Sequence, residues 1–365
     1  SGGRAFREIT LRQLAPVIGA ASVLVFLFSF TSYGVILILG GTDQATIETE
    51  IRRYAIFRQE FDVAAVLALI QVAVVSVLAW LSARLQRSFS AVAVVRRPTP
   101  GLPVDSVARR VHVGSVLVLT MVVVGLPLLA LVDRSLRVGG GRTPMSYGLG
   151  NYIALTERAT VLPVSPFQAL ATSLVFALGA AWIASLFGTM GAASVATGTR
   201  LGRFLEFVSL VPLGISAVTL GFGYLLAFTV FDIRRAVWLI PVAHAVIGLP
   251  FVMASVVPAF RSVDDSLRHA AASLGASPGA VRRLIEWPLI RPAVVSGAGF
   301  AAAISIGEFG ATSFLSRSDA GFTAPLAVFR LLGRPGSSLR GQALALSVII
   351  GLVVAGLAAL LEWRR

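Results

Sequence analysis

Apolar residues gather into eight long runs, near 14–40, 63–83, 113–133, 167–195, 205–231, 236–259, 292–315 and 341–361. Each is long enough to cross a bilayer core, which takes about 20 residues of helix. The pattern predicts an all-α, polytopic membrane protein of about eight transmembrane helices. The longest polar run in the C-terminal half is Arg261 to Pro292, RSVDDSLRHAAASLGASPGAVRRLIEWPLIRP, with an apolar run on each side. It reads as two short helices. The first covers about Asp264 to Leu274, with Ser262 or Asp264 as N-cap. Gly275 stands where a left-handed residue closes a helix. Ser277 caps the second helix, Pro278 fits its first turn, and Pro288 stops or kinks it. A compact helix-turn-helix between two spans is a candidate docking element; the plainer reading is an amphipathic hairpin.

The same loop begins the chain. Shifted by 276 positions, residues 1–16 lie on 277–292: Ser1 on Ser277, Gly3 on Gly279, Arg7 on Arg283, Ile9 on Ile285 and Pro16 on Pro292. The match runs on through Ser29 and Ser305, Gly34 and Gly310, and Leu39 and Leu315, while Arg12 replaces the proline of the motif. Six predicted crossings separate the copies, an even number, so both loops lie on one side. That is a parallel, pseudo-two-fold repeat about an axis along the membrane normal. The chain is expected to begin inside its first copy, without the start of the first half.

Composition narrows the class. The chain is 56% apolar and 13% charged, with mean hydropathy +0.85, outside the soluble range. All 31 basic residues are Arg and the net charge is +14. Arginines at membrane flanks account for this without nucleic acid. With the docking loops placed inside, the inner segments hold 18 Arg and the outer ones 13, the sign expected for a cytosolic docking side. Six of those Arg lie in 84–112, around the proline-rich 98–103, which reads as a cytosolic linker. Residues 134–166, with their glycine run, read as an external loop. Without Cys there is no disulfide or thiolate site. Without Lys there is no Walker A motif. If ATP drives this chain, a partner hydrolyses it.

The loop 261–292 resembles the EAA signature of binding-protein-dependent ABC importer permeases: Glu-Ala-Ala, three residues, Gly, nine residues, Ile-x-Leu-Pro. Ala270, Ala271, Gly275, Ile285 and Pro288 match it; His269 replaces the Glu and Trp287 the Leu. FTSYGVILILGGTDQATIETEIRRY at 30–54, SIGEFGATSFLSR at 305–317 and TAPLAVFRLLGRPG at 323–336 are similar to the fused ferric-iron and thiamine permeases within that family. The resemblance implies a type I importer permease, not itself an enzyme, in a bacterial inner membrane. Two ABC ATPase subunits would carry ATP and Mg, with no cofactor on this chain. An external binding protein would deliver the solute, ferric iron or thiamine. His269, Ala270, Ala271, Gly275, Ile285 and Pro288 would form the cytosolic coupling loop, and Gly3, Arg7 and Ile9 the remnant of its first-half copy. The halves would be 1–83 and 113–365, joined by 84–112. A secondary transporter or channel independent of ATP is the alternative, and a membrane-embedded enzyme or signalling subunit a third class.

Few other residues suggest chemistry. Glu308 is the one carboxylate deep in an apolar run, roughly 24 Å along a helix from Pro292. An ionisable residue there marks a translocation pathway, or else pins helix packing. His244, within PVAHAVIGLP, reads first as a packing residue. His112, His244 and His269 are scattered without metal-ligand spacing. Gly34, Gly221, Gly223 and Gly310 permit close helix approach. Pro212, Pro241 and Pro250 can kink their spans.

Overall fold

The structure is a computed structural model that describes residue 8 and residues 11–40, 44–90, 106–140, 143–229 and 236–363. Among these, six helices are long and apolar enough to cross a membrane. The first-half elements are α1 (Leu11–Phe30), α2 (Tyr33–Leu39), α3 (Ile47–Arg52) and α4 (Phe61–Ser90). Then come α5 (Val107–Leu136), α6 (Pro166–Ala196), α7 (Arg200–Gly214), α8 (Ala217–Thr229) and α9 (Leu239–Arg261). The C-terminal part holds α10 (Asp265–Ser273), α11 (Pro278–Gly307), α12 (Gly310–Leu315), α13 (Ala324–Leu332) and α14 (Ser337–Trp363). The six long helices are α4, α5, α6, α9, α11 and α14.

Three of the eight apolar runs are not single helices; one of them, 292–315, breaks at Glu308–Phe309, between α11 and α12. The run 14–40 breaks at Thr31–Ser32, between α1 and α2. The run 205–231 breaks at Ile215–Ser216, between α7 and α8. Pro212 lies inside α7 and supplies no N–H, and the Ser216 hydroxyl accepts the Val218 N–H at 3.1 Å to restart the helix. Hydropathy is blind to such breaks because the flanking residues stay apolar. The expected external loop is not wholly irregular. Strands β1 (Arg137–Gly140) and β2 (Thr143–Tyr147) pair antiparallel, Arg137 opposite Tyr147, and the Asn151 amide donates to the carbonyls of Ser135 at 2.9 Å and Arg137 at 2.8 Å.

At the centre α9 packs between α6 and α11, through Ala180, Ala184, Val252, Val256, Ile290 and Ala301. These faces are rich in alanine, so the backbones approach closely, which is how helices associate where lipid removes the hydrophobic drive. A second cluster, with Leu155, Phe322, Leu331 and Leu346, fixes α13 on α14. A third joins the N-terminal elements to the C-terminal ones: Tyr33, Ile51, Ala64 and Ala68 meet Val218, Phe222 and Phe314.

The repeat is written in the element boundaries. Helices α2 and α12 both follow a break and end at Leu39 and Leu315, 276 positions apart. Helices α4 and α14 begin at Phe61 and Ser337, again 276 apart. The short α3 and α13 fill the same interval in each half.

Candidate functional site

The docking element forms as a helix, a turn and the start of a longer helix. Asp264 is the N-cap of α10, its carboxylate accepting the Ser266 N–H at 2.8 Å. That hydrogen bond to the charged form holds the Asp264 carboxyl below the usual carboxylate range. The helix closes in a Schellman turn. The Ala276 N–H bonds the Ala271 carbonyl at 3.0 Å, the Gly275 N–H bonds the Ala272 carbonyl at 2.9 Å, and Gly275 has φ +85°. Ser277 then caps α11 by accepting the Ala280 N–H.

Pro288 neither stops this second helix nor ends a short one. Helix α11 runs 30 residues from Pro278 to Gly307. A wider π turn, Arg282–Glu286, sits just ahead of Trp287 and Pro288. Such a turn is the usual way a helix absorbs a locus that breaks the regular ladder.

The hairpin is braced by charge more than by packing. The Arg268 Nε donates to Glu286 at 2.8 Å, and its Nη1 to Asp265 and the Val263 carbonyl. This ties α10 to the base of α11. The outer face is apolar and uncovered: Leu274 is 89% exposed and Leu284 71%, with Leu267 and Trp287 also exposed. His269, Ala270, Gly275 and Pro288 are exposed too, and Ala271 and Ile285 half-buried. Gly3, Arg7 and Ile9 lie outside the described residues, as do 91–105 of the expected linker.

Glu308 is not within a span but at the break between α11 and α12, and it is buried. Its carboxylate accepts the N–H groups of Ala311 at 2.8 Å and Thr312 at 3.0 Å, and the Thr312 hydroxyl at 2.8 Å. His244, 1% exposed, reaches it through Nε2 at 3.0 Å and bonds Thr312 and Ser305 at 2.8 and 2.7 Å. The carboxylate thus satisfies the free N–H groups that open α12. His244 is the satisfied packing residue that its isolation suggests. At Gly221 a Cβ would meet the Ala311 Cα at 2.6 Å and at Gly310 the Ala217 Cβ at 2.9 Å, whereas Gly34 and Gly223 leave room.

Residues 184–364 match the binding-protein-dependent transport system inner membrane components. The chain is 31% identical over 207 residues to the putrescine transport system permease of Escherichia coli, covering 54% of this chain and 71% of that one. The chain belongs to this family. A Salmonella choleraesuis protein named for 2-aminoethylphosphonate transport is 28% identical over 253 residues, 68% of this chain and 92% of its own. The molybdenum transport permease of Mycobacterium tuberculosis is 32% identical over 174 residues, 44% and 66% of the two chains. The chain is thus the permease component of a binding-protein-dependent ABC importer, a multi-pass membrane subunit whose family works with ATPase and substrate-binding partners.

This permease also holds a buried polar group that hydropathy hides. Glu48, 1% exposed in α3, accepts from the Gln71 amide at 2.9 Å, and Gln71 in turn accepts from the Thr219 hydroxyl of the other half at 2.7 Å. Beside it Arg52 donates from Nη1 to the Tyr33 hydroxyl at 3.0 Å. A signal was present: Glu48 and Arg52 are one helical turn apart, and their segment sits in the quoted resemblance.

Proposed function

We propose that this permease works by alternating access, with partner ATPases docking on the hairpin Asp264–Pro288 and moving it as they close. The supporting observation is an exposed hairpin, turned at Gly275, that carries the EAA residues at the family's intervals and leaves four large apolar side chains uncovered. Apolar groups so placed call for a partner. His269, Ala270, Ala271, Gly275, Ile285 and Pro288 form the coupling surface, and the side that carries them is cytosolic. The hairpin is continuous with α11, so a push on it travels along a 30-residue helix to the break at Glu308. Two ATPases and one external binding protein complete the assembly, and ATP and Mg stay on the ATPases.

The sequence resemblance points to ferric iron or thiamine as solute, and the relatives are named for a phosphonate, molybdenum and putrescine. The test is uptake of labelled solute by cells that carry the gene, lack it, or carry it with a partner ATPase whose catalytic carboxylate is removed. Uptake should vanish in the last two. Uptake that survives ATPase inactivation would instead establish a channel or secondary transporter.

A further inference from the structure

In a pseudo-two-fold molecule, a residue and its repeat mate touch only where the axis passes. Tyr33 and Phe309 are such mates, 276 positions apart, each beside the helix break of its half. Their rings stack at 5.4 Å with 17° between planes. The stack therefore lies on the axis that both halves share, the line along which a solute must pass between them.

Arg52 stands beside that stack. Its Nη1 holds the Tyr33 hydroxyl. Its guanidinium lies 4.9 Å from the centroid of Phe329, whose ring contacts Phe309 at 5.2 Å. Its Nε is buried and has no acceptor among the described residues. The Glu48 carboxylate, one turn earlier, accepts from Gln71 through Oε1 and not from the guanidinium, and its buried Oε2 has no partner among the described residues. The edge of the guanidinium opposite Tyr33 is thus uncommitted. This is the edge that grips an oxyanion with two parallel hydrogen bonds. The aromatic faces that could attract a cation are already taken by Arg52 itself, and its charge repels another.

We propose that Arg52 is a solute-recognition residue of this permease, and that it binds the oxyanion head of a phosphonate-, phosphate- or molybdate-type solute when the Tyr33–Phe309 stack parts. The proposal rests on the importer reading above and narrows its solute to an anion. Free thiamine, free ferric ion and putrescine fall outside the class.

The test is uptake of labelled 2-aminoethylphosphonate, molybdate and inorganic phosphate, with thiamine, ferric ion and putrescine as cationic controls. The cells carry the permease with its ATPase and binding protein, as wild type, Arg52→Lys or Arg52→Gln. Lysine keeps the charge and loses the fork; glutamine keeps a donor for Tyr33 and loses the charge. We expect one of the three anions to be imported, uptake at limiting solute to fall at least about tenfold in Arg52→Gln, and Arg52→Lys to keep part of it. Recovery of the assembled complex should be equal in all three. Import of a cation alone, of none of the three anions, or of an anion equally well by Arg52→Gln would overturn the proposal. So would Arg52→Lys transporting worse than Arg52→Gln, which marks a role confined to holding Tyr33. Repeating wild-type uptake with the ATPase inactivated separates the two readings. Surviving, Arg52-dependent anion uptake would sink the ATP-driven importer and leave this site standing.

Discussion

Gly275 offers a quantitative test of the docking assignment. With φ +85° it sits in the region where a Cβ crowds the following carbonyl, at about 1–2 kcal/mol for an ordinary residue. Beyond Gly275 itself and its two chain neighbours, no heavy atom among the described residues lies within 4 Å of where that Cβ would stand. In the isolated permease, then, Gly275→Ala meets no steric obstacle, and the whole cost is conformational. A local cost of that size shifts the closed turn against its open forms by roughly 5- to 30-fold. The turn is exposed and at the end of a helix, so the fold of the bundle should not feel it. Asparagine tolerates the left-handed region better, so Gly275→Asn should cost less than Gly275→Ala, and a β-branched Gly275→Val more.

Asparagine and aspartate share a shape, and their difference isolates the surface that docks there. The assay is transport and phosphate release by the full complex in proteoliposomes. Transport per ATP should fall in the order wild type, Asn, Ala, Val. Gly275→Asp should lie well below Gly275→Asn and uncouple hydrolysis from transport, because it also places a carboxylate in the partner's apolar contact. Thermal unfolding of the solubilised permease should be unchanged throughout. Equal coupling in wild type, Gly275→Val and Gly275→Asp would refute the docking assignment, since the strain is certain and only its consequence is inferred.

Other perturbations report on neighbouring parts. Arg268→Ala removes the brace between α10 and α11 and should lower transport per ATP severalfold while the complex still assembles; unchanged coupling would show that the hairpin needs no brace. Both carboxylate oxygens of Glu308 accept hydrogen bonds, so Glu308→Gln should lower assembly and thermal stability, and His244→Ala, which removes the partner of a buried carboxylate, should cost on the order of 3–5 kcal/mol. Intact assembly with lost transport in Glu308→Gln would instead give that residue a pathway role. Gly221→Val drives a side chain into the backbone at Ala311 and should destabilise by about 1–3 kcal/mol, whereas Gly223→Ala, with open space around it, should be neutral or stabilising by up to about 1 kcal/mol; similar melting shifts would contradict the helix approach seen here. Asp264 has a lowered pKa, so its capping contribution is present above the ordinary aspartate value, about 3.9, and fades as pH falls through the lower folded value. Hydrogen exchange in α10, corrected for intrinsic rates, should accelerate at low pH in wild type and not in Asp264→Asn.

The docking hairpin was legible because its signals are local. An N-cap at Asp264, a glycine after the last helical turn, and Ser277 with Pro278 each act within four residues. The repeat was legible for the same reason, since matching residues at a fixed spacing need no knowledge of distant contacts. The π turn before Pro288 was not, because the sequence shows a proline and not the geometry that accommodates it. Nor were the breaks at Thr31–Ser32 and Ile215–Ser216, where serine and threonine read as ordinary residues of an apolar run. Even the apparent loneliness of Glu308 and His244 was an effect of chain order: 64 positions apart in sequence, they are 3.0 Å apart in space.

These blind spots share a location. The breaks after α1 and α11 carry the stacked mates Tyr33 and Phe309, and the break between α7 and α8 leads into the helix that supplies Thr219 and Phe222 to the joint between halves. A broken span exposes backbone groups that need partners at membrane depth. Here Glu308 and Ser216 supply them within the chain. The cost of such breaks is tolerated where protein rather than lipid surrounds them. Under the alternating-access proposal, the interrupted helices there are where each half would turn about a short segment, while α4, α9 and α14 are unbroken. On the alternating-access proposal, the hairpin at one end of α11 and the break at its other end are two ends of a single lever, with the hydrogen-bonded Glu308 at the far end.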